Sequence, residues 1–233
     1  MFTRRQFLAT TASASGVFGV ALGFRSFSQA RAQSASTTDS PNTPMTNTRL
    51  FSLVGGHEGP WKANDCRTIT SEPLPAIERL NIVNANVASP TGGAKWVLHG
   101  VTSNERYVER AEKEQLMAKQ QGLGRPEADC AVLIPIRKNA EWWKLTQDEQ
   151  RKIFEEQSHH TPIGLKYLPA IARCLHHCRY LSKAEPFDFR TWLEFAKKDT
   201  AEFDKLLHRL RASEEWKYVE REVEFRVVRE QAR

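Results

Sequence analysis

Between Ser158 and Arg179 the chain reads SHHTPIGLKYLPAIARCLHHCR, a stretch with four of its 7 histidines, two of its 4 cysteines and two arginines. Side chains of these types bind metal ions and small anions, and such a density seldom comes from packing alone. Two chemistries fit. One histidine can ligate a haem iron while an arginine serves the other face, or the His/Cys group can hold zinc. His159, His160, Cys174, His176, His177 and Cys178 are borderline-soft ligands. Yet no C-x-x-C occurs, and adjacent histidines on a regular element point in different directions, which makes zinc the weaker reading. Beyond Pro169 an alternating pattern puts Ile171, Arg173, Leu175 and His177 on one face of a strand. Arg173 is therefore expected to point inward among apolar neighbours, where a guanidinium is costly unless it meets an anion. An internal salt bridge is the plainer alternative.

The run GLKYLPAIAR, the upstream IPIRKNAEWW and the downstream EPFDFRTWLEF together resemble the chlorite dismutases, within them the short, two-subunit lineage. The resemblance spans roughly residues 95–228. It implies a b-type haem with its iron, chlorite as substrate, and conversion of chlorite to chloride and dioxygen by oxygen-atom transfer and O–O bond formation. It implies a homodimer as well. Residue by residue, His160 matches the proximal iron ligand, thirteen positions before Arg173, with His159 one position off. Glu215, with Glu214 as the fallback, matches the carboxylate that accepts the other ring nitrogen of that ligand. Arg173 matches the distal arginine that holds the oxyanion fragment. Lys138 and Trp142 match groups at a haem propionate, Trp143 matches a residue against the pocket wall, and Tyr107 matches a tyrosine reaching a propionate from the other lobe. His176, His177 and His208 are left as structural. The related coproheme decarboxylases lack the distal arginine. A peroxidase-like haem enzyme and a non-catalytic haem-binding protein remain the other readings.

These residues must be carried by a scaffold. RLFSLV at 49–54 reads as a first strand closed by Gly55-Gly56, whereas 57–94, with Pro60, Pro73, Pro75 and Pro90, has no readable pattern. Lys95–Val101 reads as a strand, and a charged helix over about 108–121 stops at Gly122-Leu123-Gly124. CAVLIPI at 130–136 is a continuous apolar run of strand length. Thr146 and Glu149 form a capping box that opens a helix towards His160. Phe187, Phe189, Thr191, Leu193 and Phe195 alternate along another strand. Asp199 and Glu202 are expected to cap a helix whose Phe203, Leu206, Leu207 and Leu210 follow the 3.6-residue period. Val223, Phe225 and Val227 alternate along a last strand. The order is β-α-β-β-α-β, a ferredoxin-like arrangement. With the resemblance, the expected fold is a ferredoxin-like α+β barrel over 49–233, with a shortened N-terminal lobe at about 49–128 and a complete lobe at about 129–233.

Residues 1–32 read as an export leader rather than as fold. Arg4-Arg5 precedes a mildly apolar run to Phe24, and Ala30-Arg31-Ala32 offers small residues for cleavage. The paired arginines point to the twin-arginine route and a periplasmic destination. Small, weakly apolar residues argue against a stable membrane anchor. QSASTTDSPNTPMTNT at 33–48 reads as a disordered tether. Of the net charge of +6, Arg4, Arg5, Arg25 and Arg31 contribute four, which leaves +2 on the mature chain. The basic pI is therefore no argument for a nucleic-acid partner. Cys66, Cys130, Cys174 and Cys178 permit three disulfide pairings and select none.

Overall fold

The computed structural model describes residues 49–87, 92–182 and 184–230. The leader and the tether lie outside them. Thr46–Arg233 forms one compact unit. Its strands are β1 (Leu50–Gly56), β2 (Trp61–Thr70), β3 (Arg79–Val83), β4 (Trp96–Thr102), β5 (Cys130–Lys138), β6 (Ala172–His177), β7 (Phe189–Phe195) and β8 (Val219–Arg229). The helices that matter to the site are α1 (Arg110–Lys119), α2 (Ala140–Lys144), α3 (Gln147–Arg151), α4 (His160–Leu165) and α5 (Thr200–Arg211). The strands close into an antiparallel barrel in the order β1-β3-β2-β8-β5-β7-β6-β4. Each half repeats one pattern: β4-β1-β3-β2 and β8-β5-β7-β6 both place their fourth, first, third and second strands side by side. That is the ferredoxin-like order, and the molecule is an α+β barrel with helices outside.

The N-terminal half has the strands of that pattern but not its first crossover helix. Residues 57–60 alone carry the chain from β1 past β3 to β2. The step is short because β2 overlaps β3 only at Trp61↔Leu80 and Lys62↔Arg79 before running on along β8. Gly59 makes it feasible. Its φ is +134°, and a Cβ there would sit 2.3 Å from the Leu80 carbonyl oxygen, so only glycine lets the backbone cross so closely. β2 and β3 fall in the segment whose sequence has no readable pattern. Most of WKANDCRTIT faces solvent, so it has no apolar stripe, and it is held by its ladder to β8.

The core has two parts. Leu53, Trp61, Leu80, Trp96, Leu98, Leu133, Trp192, Phe225 and their neighbours fill the barrel, with Trp61 and Trp192 meeting edge to face at 5.1 Å. Val132, Ile134, Ile136, Phe189, Leu193 and Phe195 cover the outer face of β5 and β7, beneath Phe203, Leu206 and Leu207 of α5. β5 is apolar from Cys130 to Ile136 because both its faces are covered there. Each large side chain buried under α5 contributes about 1.5–3 kcal/mol. Two expectations need correction. Phe187 precedes β7 and packs in the barrel rather than with the outer set. Asp199 precedes α5 without a side-chain cap bond, since the turn is closed instead by the Thr200 hydroxyl on the Lys197 carbonyl at 2.7 Å.

β8 alternates apolar interior residues with buried acids. Glu222 and Glu224 face outward, where Arg211 of α5 bonds both, with Nε on Glu222 at 2.9 Å and a terminal nitrogen on Glu224 at 2.7 Å. These pairs pin the helix over the sheet.

Candidate functional site

Between the outer face of the second half-barrel and its helices lies a cavity. Ile134, Ile136, Leu175, Phe189, Leu193, Phe203, Leu207 and Leu210 supply its apolar walls. Asn104, Arg106, Tyr107, Lys138, Trp142, His160, Arg173 and Glu215 supply its polar groups. Residues far apart in the chain thus meet in one place.

The loop carrying His160 is built by local rules. The Thr146–Glu149 capping box opens α3, which widens into a π-helical turn over Lys152–Gln157. His159 then takes a left-handed conformation at φ 50°, which ends that turn, and α4 begins at His160. His159 is exposed. His160 turns into the cavity, its ring stacked on Phe154 at 4.2 Å between centroids. The histidine therefore opens a helix, whereas the sequence pattern predicts it at the end of one.

Glu215 fixes the ring. Its carboxylate lies 2.8 Å from His160 Nδ1 and 2.8 Å from the Lys138 ammonium, and its backbone N–H donates to the Ser158 hydroxyl. Burial alone would raise the Glu215 carboxyl, but the Lys138 ammonium and His160 more than offset it and press it down to about 2. An ionised Glu215 can only accept, so Nδ1 of a neutral His160 carries the proton. The lone pair of Nε2 is then free for a metal. Lys138, with 1% of its side chain exposed, is committed to Glu215. The role implied for it at a propionate is not the contact seen here: it also sits 4.6 Å over the Trp142 ring and backs the histidine.

Arg173 leaves β6 on the outer face, towards the cavity and not into the barrel, among Leu175, Thr191 and Leu193. Burial pulls its pKa below the ordinary value. Among the described residues no carboxylate pairs with its guanidinium, so the alternative of an internal salt bridge is not realised. Its strand is tethered by the Gln120 amide on the Arg173 carbonyl oxygen at 2.9 Å.

Trp142 is held at the start of α2 by Asn139, whose side chain accepts from its backbone N–H. Its indole Nε1 is buried with no acceptor. Tyr107 lies at the same end, 6.0 Å from Trp142 between ring centroids, and its hydroxyl donates to Gln150 at 2.9 Å. Trp143 does not reach the cavity. Its indole donates to Asp188 at 3.1 Å, and its ring lies between Phe189 and the Arg179 guanidinium, one layer behind the wall.

The zinc grouping is dispersed. His159 is exposed, His160 is in the cavity, and His176 packs in the barrel against Phe51. Among the described residues no three His, Cys, Asp or Glu side chains gather to hold a metal, and all four cysteines are free. Sequence reasoning missed Phe154, Gln150 and Arg106. Gln150 bonds both Tyr107 and the Trp142 carbonyl. Its place after a capping box carries no hint of that.

Known proteins resemble this chain in sequence and fold. A family model described as chlorite dismutase matches residues 77–231. A solved structure, a dimeric chlorite dismutase from Nitrobacter winogradskyi, is 50% identical, covering 77% of this chain and 99% of its own, with a TM-score of 0.71. A chlorite dismutase from Candidatus Nitrospira defluvii in complex with imidazole is 17% identical, covering 78% of this chain and 92% of its own, and shares the fold with a TM-score of 0.53. A curated relative from Ideonella dechloratans, named chlorite dismutase, is 39% identical over 88 residues, which is 38% of this chain and 28% of the relative's length.

Proposed function

This chain belongs to the chlorite dismutase family, and on that premise we propose that it decomposes chlorite to chloride and dioxygen at a b-type haem. The observation that carries the proposal is Arg173: a deeply set guanidinium without a carboxylate partner, in the same cavity as a histidine whose outer nitrogen is free to ligate iron. A buried cation of that kind calls for an anion.

The chain's groups suit haem. The apolar walls suit a flat macrocycle, His160 Nε2 would hold its iron, and the buried Trp142 N–H would find an acceptor in a propionate. When bound, the haem would supply the redox chemistry of chlorite decomposition. The protein's share is binding and retention. Lys138 and the His160 contact keep Glu215 ionised. Glu215 holds His160 in one tautomer and orientation and makes it more basic. Arg173 attracts chlorite, orients it, and holds the hypochlorite-type fragment so that it does not diffuse away. Leu175, Leu193 and Phe189 exclude water that would compete for that anion.

The proposal extends to assembly and destination. A homodimer is supported by the dimeric relative at 50% identity, and light scattering on purified protein tests it. Export by the twin-arginine route is supported by Arg4-Arg5 and the weak apolar run behind them. Replacing both arginines with lysine should leave an uncleaved, haem-loaded protein in the cytoplasm, and normal periplasmic accumulation would count against the route.

The deciding experiment is an oxygen electrode on the haem-loaded protein. One dioxygen per chlorite supports the proposal. A normal Soret band with no dioxygen would point instead to a haem carrier or a peroxidase-like enzyme.

A further inference from the structure

Haem brings carboxylates as well as iron, and these need a cation. Three cationic side chains line the cavity: Arg106, Lys138 and Arg173. Lys138 is taken, its ammonium bonded to the Glu215 carboxylate at 2.8 Å with 1% of its side chain exposed. Arg173 stands among Leu175, Thr191 and Leu193, in the part of the cavity that the functional reading gives to chlorite. Arg106 remains.

Arg106 leaves the loop after β4 and packs beside Tyr107, its guanidinium carbon 5.2 Å from that ring and 5.4 Å from Phe189. Its Nε is buried without a partner, and among the described residues no carboxylate pairs with the guanidinium. The Trp142 ring stands 6.0 Å from Tyr107 between centroids, and its Nε1 is likewise buried without an acceptor at hydrogen-bond distance, in a residue that is 0% exposed. Two buried donors without a hydrogen-bond partner therefore lie beside one tyrosine at the edge of the cavity, both near a Tyr107 hydroxyl that itself donates to Gln150. A buried donor normally finds an acceptor, and a guanidinium held against aromatic rings gains most from a planar carboxylate.

We propose that Arg106 is the counter-ion for a propionate of the bound haem, with Trp142 donating to the same carboxylate edge, while Lys138 serves the proximal Glu215 instead. This rests on the haem reading of the cavity. Each of the three cations then has its own anion. Lys138 meets the carboxylate behind the iron ligand, Arg173 meets the substrate, and Arg106 meets the cofactor.

The inference is tested by the rate of haem release to excess apomyoglobin, followed by absorbance, for wild type, Arg106→Gln and Arg106→Lys. Each protein is loaded with haem or with haem dimethyl ester, which has the same ring and iron but no charged propionates. With haem, Arg106→Gln should release about 10- to 100-fold faster, the loss expected for one charge-assisted contact. Arg106→Lys should recover part of that. With the diester, wild type and both variants should release at similar rates, because the partner of Arg106 is gone. Equal acceleration of the diester would make Arg106 a structural residue and overturn the proposal, as would an unchanged rate with haem. If Arg106→Gln fails to fold, wild type with the two ligands still decides: equal release of haem and diester leaves the propionates no counter-ion. A wild type that retains neither ligand would overturn the haem reading itself, and this inference with it.

Discussion

Arg173 and Lys138 are both cations at one cavity, but their surroundings assign them different work. Among the described residues Arg173 has no carboxylate partner, and the proposed function gives its charge to an incoming anion. Arg173→Ala should therefore leave the fold and the histidine-ligated spectrum intact. It should cut the chlorite rate by about one to two decades, the value of a charge-assisted contact of about 1.5–3 kcal/mol. It should also bleach sooner, since a fragment no longer held can attack the porphyrin. Parallel measurement of oxygen yield and turnover lifetime checks this, and an unchanged pair of values would remove Arg173 from the mechanism. Lys138 is a supporting residue, because it acts through Glu215. The Glu215 carboxyl is pressed from 4.5 to about 2, so its stabilising contribution is full above its unfolded value and is lost as pH falls through about 2. Lys138→Met removes the main cause of that depression and leaves burial to raise the carboxyl. Breaking the buried pair should cost about 3 kcal/mol or more. The iron–histidine stretch of the ferrous protein should lose its carboxylate-bonded character at milder acid than in wild type. A pH profile matching wild type would show that Lys138 does not govern the proximal side.

At the scale of elements, a short run of backbone devices presents the ligand and the cavity rim together. α3 ends with Gln150 and Arg151, which hold Tyr107 by different atoms. Gln150 takes the Tyr107 hydroxyl, while Arg151 bonds the Tyr107 carbonyl and forks onto Glu112 of α1 at 3.0 and 3.1 Å. Tyr107 needs this hold because its φ is 65°, a left-handed conformation that costs a non-glycine residue about 1–3 kcal/mol. The same helix then leads through the π-helical turn into His160, so one continuous segment carries both the histidine and the rim contacts. Arg151→Met should free the loop more than it destabilises the barrel, lowering global stability by about 1–2 kcal/mol. Backbone amides of residues 106–108 should exchange several-fold faster by mass spectrometry, while β5 and β7 keep their protection. Unchanged exchange in that loop would show that the rim holds itself.

Taken whole, the barrel gives the molecule a pH response separate from its chemistry. His176 lies inside it beside Arg190, and burial, with that guanidinium, pushes its pKa down from 6.5 to about 3. The folded protein keeps His176 neutral while the unfolded chain takes a proton below about 6.5. Stability from this residue is thus full above 6.5 and falls as pH drops towards 3, by at most about 1.4 kcal/mol per pH unit. His177, pushed down to about 4, works in the same direction but is more exposed and adds less. Urea unfolding at pH 7.5 and 4.5 should show this loss, and His176→Gln should flatten it. An equally steep loss in the variant would place the acid sensitivity elsewhere.

Much of this is legible in the chain because it obeys local rules. CAVLIPI, the Phe203–Leu210 stripe and the Val223–Val227 alternation each report a buried face, and a face is a property of neighbouring residues. The Thr146–Glu149 box is local too, whereas the thirteen-residue step from His160 to Arg173 carries meaning only through the resemblance to the chlorite dismutases. β2 and β3 are not legible, because β2 is held by a ladder to a strand far along the chain and needs no apolar stripe to exist. Nor is the division of labour among the charges. Lys138 reads as a propionate residue until the fold puts Glu215 within 2.8 Å of its ammonium, and Arg173 reads as a barrel residue until β6 turns it outward. Trp142 and Trp143, adjacent in sequence, part company because α2 points one into the cavity and gives the other to Asp188. Neighbouring residues specify which side chains can do chemistry and which segments have a face to bury. Which charge meets which is a matter of the fold. Pairing is set by distances across the fold, and a buried charge is defined by the partner it finds or lacks.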